Sequence, residues 1–410
     1  MPTLHDYDQF DSLHPEMGTL RNVLAHQGVV APHTGQPFTE AMLLGISGGV
    51  SVLYFVFDYE GYEPNVFIGT HIASPTDKPM EAVLERLGIR GHYRGTTSRD
   101  RARANLVEAL EEGQPAIAWA SQRGLSYNAM PSGLDPGMLP LVVYGYEPDE
   151  GTVRIADRAR VPLTATITEF DAARAAQGNL KHRSLTLEVP PRLKNLSGAI
   201  EAGISHCARV MLEGPEKGPK SNFGLAALRK WAGLVVDTKS PRGWLGTFAP
   251  GPHLYNALAT CFDWIEIRGG GGGAARTMYA DFLTEAAPVL NKPQLEEAAG
   301  KYRHSAEKWT ALARAMLPDE IPTLKETREL LERKHRLFVE QGMDSLPERR
   351  KIARRLEALK GQAAHDFPKA ENELVPFLEE IRDRILAVHD AEKEAVEAVE
   401  AVEAMQRVVG

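Results

Sequence analysis

LPLVVYGYEPDEGTVRIADRA, residues 139–159, decides the fold of the amino-terminal half. Two runs rich in Val, Tyr and Ile flank EPDEG, whose proline, aspartate and glycine are turn formers, so the stretch reads as a β-hairpin. Working outward, QPAIAWA (114–120) and HRSLTLEV (182–189) read as further strands, with a helix between hairpin and last strand at ITEFDAARAAQ (167–177). Towards the amino terminus the texture changes to helices. MEAVLERLG (80–88) and RDRARANLVEALEEG (99–113) are amphipathic, while VSVLYFVFDY (50–59) is a buried strand whose neighbour is NVFIGTHI (65–72), across EGYEP. FTEAMLLGISGG (38–49) reads as a short helix entered at Thr39 and Glu40 and stopped by Gly48-Gly49. LHPEMGTLRNVL (13–24) opens another helix: Leu13, Met17, Leu20 and Leu24 recur at helical spacing, Pro15 suits the first turn and Gly28 the stop. Helices first and strands after make an α+β domain, residues 1–189.

PPRLKN (190–195) is a rigid linker, and nearly everything beyond it carries apolar residues at i, i+3 or i+4. The runs at 195–212, 223–236, 253–267, 275–290 and 301–317 predict an all-α domain over 196–317. Lys, Arg and Glu interleave with Leu in the extension 318–410, which predicts antiparallel helices with solvated outer faces. Its last part, EAVEAVEAVEA (394–404), repeats every three residues, so its valines wind round a helix and build no fixed seam; a fraying end is expected.

Composition narrows the function classes. A charged share of 25% and a hydrophobic share of 43% are ordinary for a globular protein, and no apolar run approaches the roughly 20 residues of a membrane helix. A net charge of −8 gives no footprint for nucleic acid. MPTLHDYDQFDSLH lacks a basic start and an apolar core, so the expected location is the cytoplasm, and two cysteines, Cys207 and Cys261, agree with a reducing compartment. HEXXH, CXXC and paired ligand spacings are absent, so no metal and no cofactor is expected.

Several residues carry candidate chemistry. His14 and Glu16 sit at a helix mouth, where His14 can cap and the dipole favours Glu16; the functional version makes His14 a general base, with helix N–H groups holding a carbonyl oxygen. Glu40 reads first as a helix cap and second as a cleft residue. Gly45, Gly48 and Gly49 allow close helix packing or backbone approach to a ligand. Cys207, beside His206, could replace a nucleophile, yet Ile200, Ile204, Cys207 and Met211 share one helical face, which points to packing; Cys261 is alike. RGGGGGAARTMY (268–279) could form a backbone nest for an anion, with Arg268 and Arg276 supplying charge, or be a flexible loop.

HPEMGTLRNVLAHQGV (14–29), TEAMLLGISGGVSVLYF (39–55), LVVYGYEPDEGTVRIADRA (141–159) and FDAARAAQGNLKHR (170–183) resemble the butirosin biosynthesis protein H family. Its amino-terminal domain is similar to a papain-type or C39-type cysteine peptidase turned to acyl transfer. IEIRGGGGGAARTMYADFLTEAA (265–287), with Trp309, resembles the helical domain of unknown function that accompanies it. The resemblance implies a papain-like α+β domain and transfer of an acyl group from a carrier-protein thioester to an amine. It also implies a cysteine after the histidine, where Pro15 stands, and a base histidine where Leu139 and Pro140 stand. The third, orienting position falls on Asp157. The expected function is therefore acyl transfer or amide formation in specialised metabolism without the cysteine route, through His14, Glu16 and Asp157. Asn22, Glu40, Arg268, Gly270, Gly271, Arg276 and Tyr279 would bind substrate or donor. A non-catalytic binding or carrier protein on a degenerate hydrolase fold is the main alternative, and an acid/base cyclase or isomerase another. The expected partners are a small-molecule biosynthetic intermediate, an acyl carrier protein and, through the charged helices, a second copy of the chain.

Overall fold

A computed structural model describes residues 2–71, 78–131, 137–366 and 371–409. In chain order the amino-terminal elements are α1 Pro15–His26, α2 Glu40–Ser47, β1 Val50–Phe57, β2 Asn65–His71, α3 Pro79–Leu87, β3 Arg90–Arg94 and α4 Arg99–Glu111. β4 Ala116–Ser121, β5 Met138–Glu147, β6 Thr152–Ala156, β7 Leu163–Thr166, α5 Ile167–Ala175 and β8 Ser184–Glu188 follow. The helical part comprises α6 Leu196–Glu213, α7 Gly224–Val236, α8 Trp244–Thr247, α9 Pro252–Phe262, α10 Arg276–Leu290, α11 Gln294–Met316, α12 Pro322–Gln341, α13 Leu346–Asp366 and α14 Glu371–Val409. No helix among the described residues is long and apolar enough to cross a membrane.

The first compact unit takes Met1–Leu43, Val83–Leu196 and Arg333–Arg354. Its sheet has six antiparallel strands in the order β3-β8-β4-β5-β6-β7. The predicted hairpin is its centre: Val142 faces Ala156 and Val143 faces Ile155, and the turn closes through Gly151 N–H donating to Pro148 O at 3.1 Å. Gly151 has φ +68°, a left-handed conformation that costs glycine little and other residues more. Helix α1 lies against β5, and Thr19 donates to the carbonyl of Pro140 at 3.4 Å. Strands β3 and β7 go beyond the sequence expectation. β3 is mostly charged and exposed, with His92 on Glu188, so it lacks the apolar alternation by which a strand is read.

The second unit takes Leu44–Ala82, Ser197–Glu332 and Arg355–Gly410. The chain is thus not cut once near residue 190. The β1-β2 hairpin belongs with the helices because Val50, Ser51, Val52, Leu53 and Tyr54 are all buried, a strand covered on both faces, with α7 packed on β1 and α9 on β2. The predicted neighbour strand pairs as expected, Tyr54 facing Ile68, and its last residue, Ile72, lies outside the described residues.

The valine repeat departs from the expected fraying end. Helix α14 is continuous and packs on α7 and α11, with Ala395, Val396, Val399 and Val402 buried. A spacing of three drifts by about 60° per step on a 3.6-residue helix, so three valines spread over an arc wide enough to serve two neighbouring helices.

Candidate functional site

The mouth of α1 is built from two segments. His14 is the N-cap: its backbone is extended and its Nδ1 accepts the Met17 N–H at 3.3 Å, satisfying one of the donors a helix start leaves over. Pro15 occupies the first turn, where its missing N–H costs nothing. Thr39 caps α2 by accepting from Met42 at 2.9 Å, which leaves the carboxylate of Glu40 available for the other segment. That carboxylate accepts the N–H of His14 at 2.8 Å and of Leu13 at 3.1 Å. Burial pushes the Glu40 carboxyl up to about 7, against the pull of those two N–H groups. Glu16 is half-buried in the first turn of α1. Asn22 is buried one turn on and accepts from Arg21 at 3.1 Å.

Asp157 follows β6, and the two segments run side by side: Asp11 N–H donates to Ala159 O at 2.9 Å and Arg160 reaches Asp11 at 3.2 Å. The Asp157 carboxylate is itself fully engaged. Arg158 donates to both oxygens, at 2.7 and 2.9 Å, and the Tyr127 hydroxyl donates to one at 2.9 Å. Arg158 also reaches Gln122 and Asn128, and lies over the Phe338 ring at 5.3 Å. Residues 333–354 join this unit through the same cluster: Lys334 donates to Asn128 O, and buried Arg349 donates to the carbonyls of Tyr127 and Gly342. Desolvation and the neighbouring Asp157 charge keep Tyr127 protonated well beyond the ordinary tyrosine range. A carboxylate neutralised in this way holds the cluster together.

The glycine run lies in the second unit. Arg268 ends a π-helical turn, Asp263–Arg268, and pairs with Asp263. Gly270 to Gly273, Ala274 and Ala275 all have φ between +53° and +92°, a left-handed stretch in which the glycines avoid the Cβ penalty and the two alanines bear it. The Gly273 N–H donates to Glu266 at 3.4 Å, and Thr310 donates to the same oxygen at 2.8 Å, so the protein's own carboxylate sits at the anion-seeking end of the run. Burial raises the Glu266 carboxyl. Gly271 is exposed.

Arg276 is sealed. Its Nε donates to Glu392 at 2.6 Å, its other nitrogens donate to the carbonyls of Thr70, Ala274 and Ser51, and its guanidinium lies 5.1 Å over Trp309. Both partners are 0% exposed, and Glu392 also accepts from Ser305 and Trp309. Tyr279 is buried beside Tyr302. Cys207 donates to Val50 O at 3.2 Å, and burial pushes its thiol up to about 11, away from thiolate chemistry. Cys261 is also raised by burial.

His14, Glu40 and Asp157 thus belong to neighbouring segments of the first unit, and Arg268, Gly270, Gly271, Arg276 and Tyr279 to the second. One pairing escaped sequence reasoning. Ser47 Oγ lies 2.8 Å from His71 Nε2, but its hydroxyl also donates to Leu44 O at 2.6 Å. With its one proton given to that carbonyl, Ser47 accepts from His71 and is not activated by it. The signal in the sequence was Gly45-Ile46-Ser47-Gly48-Gly49, a Gly-x-Ser-x-Gly spacing; here it closes a helix instead of joining a strand to a helix, which is where a nucleophile elbow sits. Among the described residues no group of three or more His, Cys, Asp or Glu is arranged to hold a metal.

Residues 14–158 match the family described as butirosin biosynthesis protein H, N-terminal, and residues 168–333 match the domain of unknown function DUF4872. The second match begins inside α5, ahead of the proline linker. No curated protein matches the chain. The chain thus carries an amino-terminal domain of the butirosin biosynthesis protein H family followed by DUF4872, the two matches in this order along one chain.

Proposed function

We propose that the chain serves natural-product biosynthesis by binding and presenting an intermediate, without forming an acyl-enzyme. The carrying observation is the state of the groups that acyl transfer would use. Proline stands at the cysteine's place, His14 Nδ1 is given to Met17, Glu40 to two backbone N–H groups, and Asp157 to Arg158 and Tyr127. A covalent thioester route needs a nucleophile and a base within hydrogen-bond reach of each other, and the two cysteines are buried with raised thiols. The papain-type reading draws support from α1 lying on β5, with Asp157 behind the neighbouring strand. The test is incubation with an acyl-pantetheine thioester and a primary amine. Expected are an unchanged intact mass and thiol release at the buffer rate, with saturable binding of the thioester; a stoichiometric acyl adduct or amide product overturns the reading.

One observation favours the catalytic alternative. A carboxyl at about 7 is matched to proton transfer near neutrality, and that of Glu40 adjoins His14 at the mouth of α1. Amide formation or cyclisation by His14 and Glu40, with Glu16 and Asp157 orienting, would then be lost in Glu40→Gln while binding survives.

A further inference from the structure

The second unit contains a cleft of about 390 Å³, within the range of small-molecule sites, that neither the family nor the α1 mouth assigns. Its floor is the end of β1 and the residues after it; its wall is Asn222 and α7, closed by the segment leading into α8. Phe55, Phe57 and Tyr59 alternate along the strand and form one ladder, with ring centroids 6.2 and 6.3 Å apart and planes within 7° and 24°. Phe223 meets Phe55 edge-on, and Tyr54 is clamped by stacking on Trp231 and by the indole N–H of Trp244 at 2.9 Å. The floor is therefore fixed, yet Phe57 and Tyr59 are 39% and 65% exposed. A stacked ladder left open to water is apolar surface without a partner.

The polar lining supplies the second half of the specificity. Lys230 donates one N–H to buried Asn222 at 2.6 Å, which holds its ammonium at the wall and leaves two donors. Arg242 has no ion-pair partner among the described residues, and Asp58 none either. Two cations against one carboxylate leave the lining with net positive charge, in a chain whose total is −8.

We propose that this cleft binds an organic anion, with a carboxylate or phosphate head between Lys230 and Arg242 and a ring or unsaturated body on the Phe57–Tyr59 ladder. The cleft belongs to the second unit and the α1 mouth to the first, and failure of the proposal would leave the reading of that mouth unchanged. Calorimetric titration of the full-length protein with 3-phenylpropionate and with phenyl phosphate tests it, against 3-phenylpropanamide as the neutral control and propionate as the ringless one. Both aromatic anions should bind saturably and weaken with salt, and the tighter head tells carboxylate from phosphate. Arg242→Gln, at an exposed position, should weaken them about fivefold, the ceiling for one exposed charge pair, and Tyr59→Ala should weaken them comparably. Equal binding of the amide, equal binding by Arg242→Gln, or no saturable heat from either anion up to about 10 mM, where affinity falls below that of a millimolar ligand, overturns the proposal.

Discussion

At the residue scale, Glu40 ties two segments of chain together and carries the consequence in its titration. Its carboxyl is raised from 4.5 to about 7, chiefly by burial, so the folded protein holds that proton more tightly than the unfolded chain does. Its contribution to stability is full below pH 4.5 and is lost as the pH rises through 7, by at most about 3 kcal/mol at 1.36 kcal/mol per unit. Glu40→Gln removes the titration while keeping an acceptor for Leu13 and His14. Being neutral, the glutamine matches the protonated carboxyl, so the two proteins should melt alike near pH 4.5 and diverge as the pH rises to 7, the variant becoming the more stable, with a constant gap above; a constant gap across that window would show that Glu40 titrates as it does in the unfolded chain. Sequence alone offered Glu40 as a cap of its own helix. It missed the bond to the neighbouring segment because that bond joins residues 26 and 27 positions apart, a distance no local pattern encodes.

At the element scale, α1 was legible almost to the residue: Pro15 in the first turn, the apolar spacing and Gly28 behind it are local signals of helix start, face and stop. His14 was legible only as two alternatives, and the structure gives it the cap. His14→Ala should cost about 1 kcal/mol, the ordinary value of an N-cap, and lower the melting temperature by a few degrees. His14→Asn, the better capping residue, should restore it. If activity or ligand binding is lost in both variants while only alanine loses stability, the imidazole has a function beyond the cap. The glycine run shows the opposite balance. Its composition announced an unusual backbone, but two readings, nest and flexible loop, fitted it equally. The left-handed path and its tie to Glu266 depend on α11, whose Thr310 shares that carboxylate and whose Ala306 would lie 2.9 Å from a side chain at Gly273.

At the scale of the whole molecule, each unit takes pieces from distant parts of the chain, and the carboxyl-terminal helix is core to the second unit. Removing residues 371–410 would strip the faces of α7 and α11 and leave Arg276 buried without Glu392, a change that costs about 3–5 kcal/mol for the lost charge alone. The truncated protein should lose the chemical-shift dispersion of the second unit and become protease-sensitive there; a shortened protein that melts as the full-length chain does would show α14 to be the dispensable end its repeat suggested. By itself the sequence determined the helices, the 139–159 hairpin, the α+β-then-α order and the family, because periodicity, turn residues and caps act over a few positions and motifs are strings. Only the tertiary structure decided that β1 and β2 join the helical unit, that residues 333–354 join the sheet, and that Asp157, Arg276 and Glu40 are occupied by partners. The physical reason is common to all three. Burial and ion pairing are properties of what surrounds a side chain in space, and the surroundings of Arg276 come from residues up to 225 positions away.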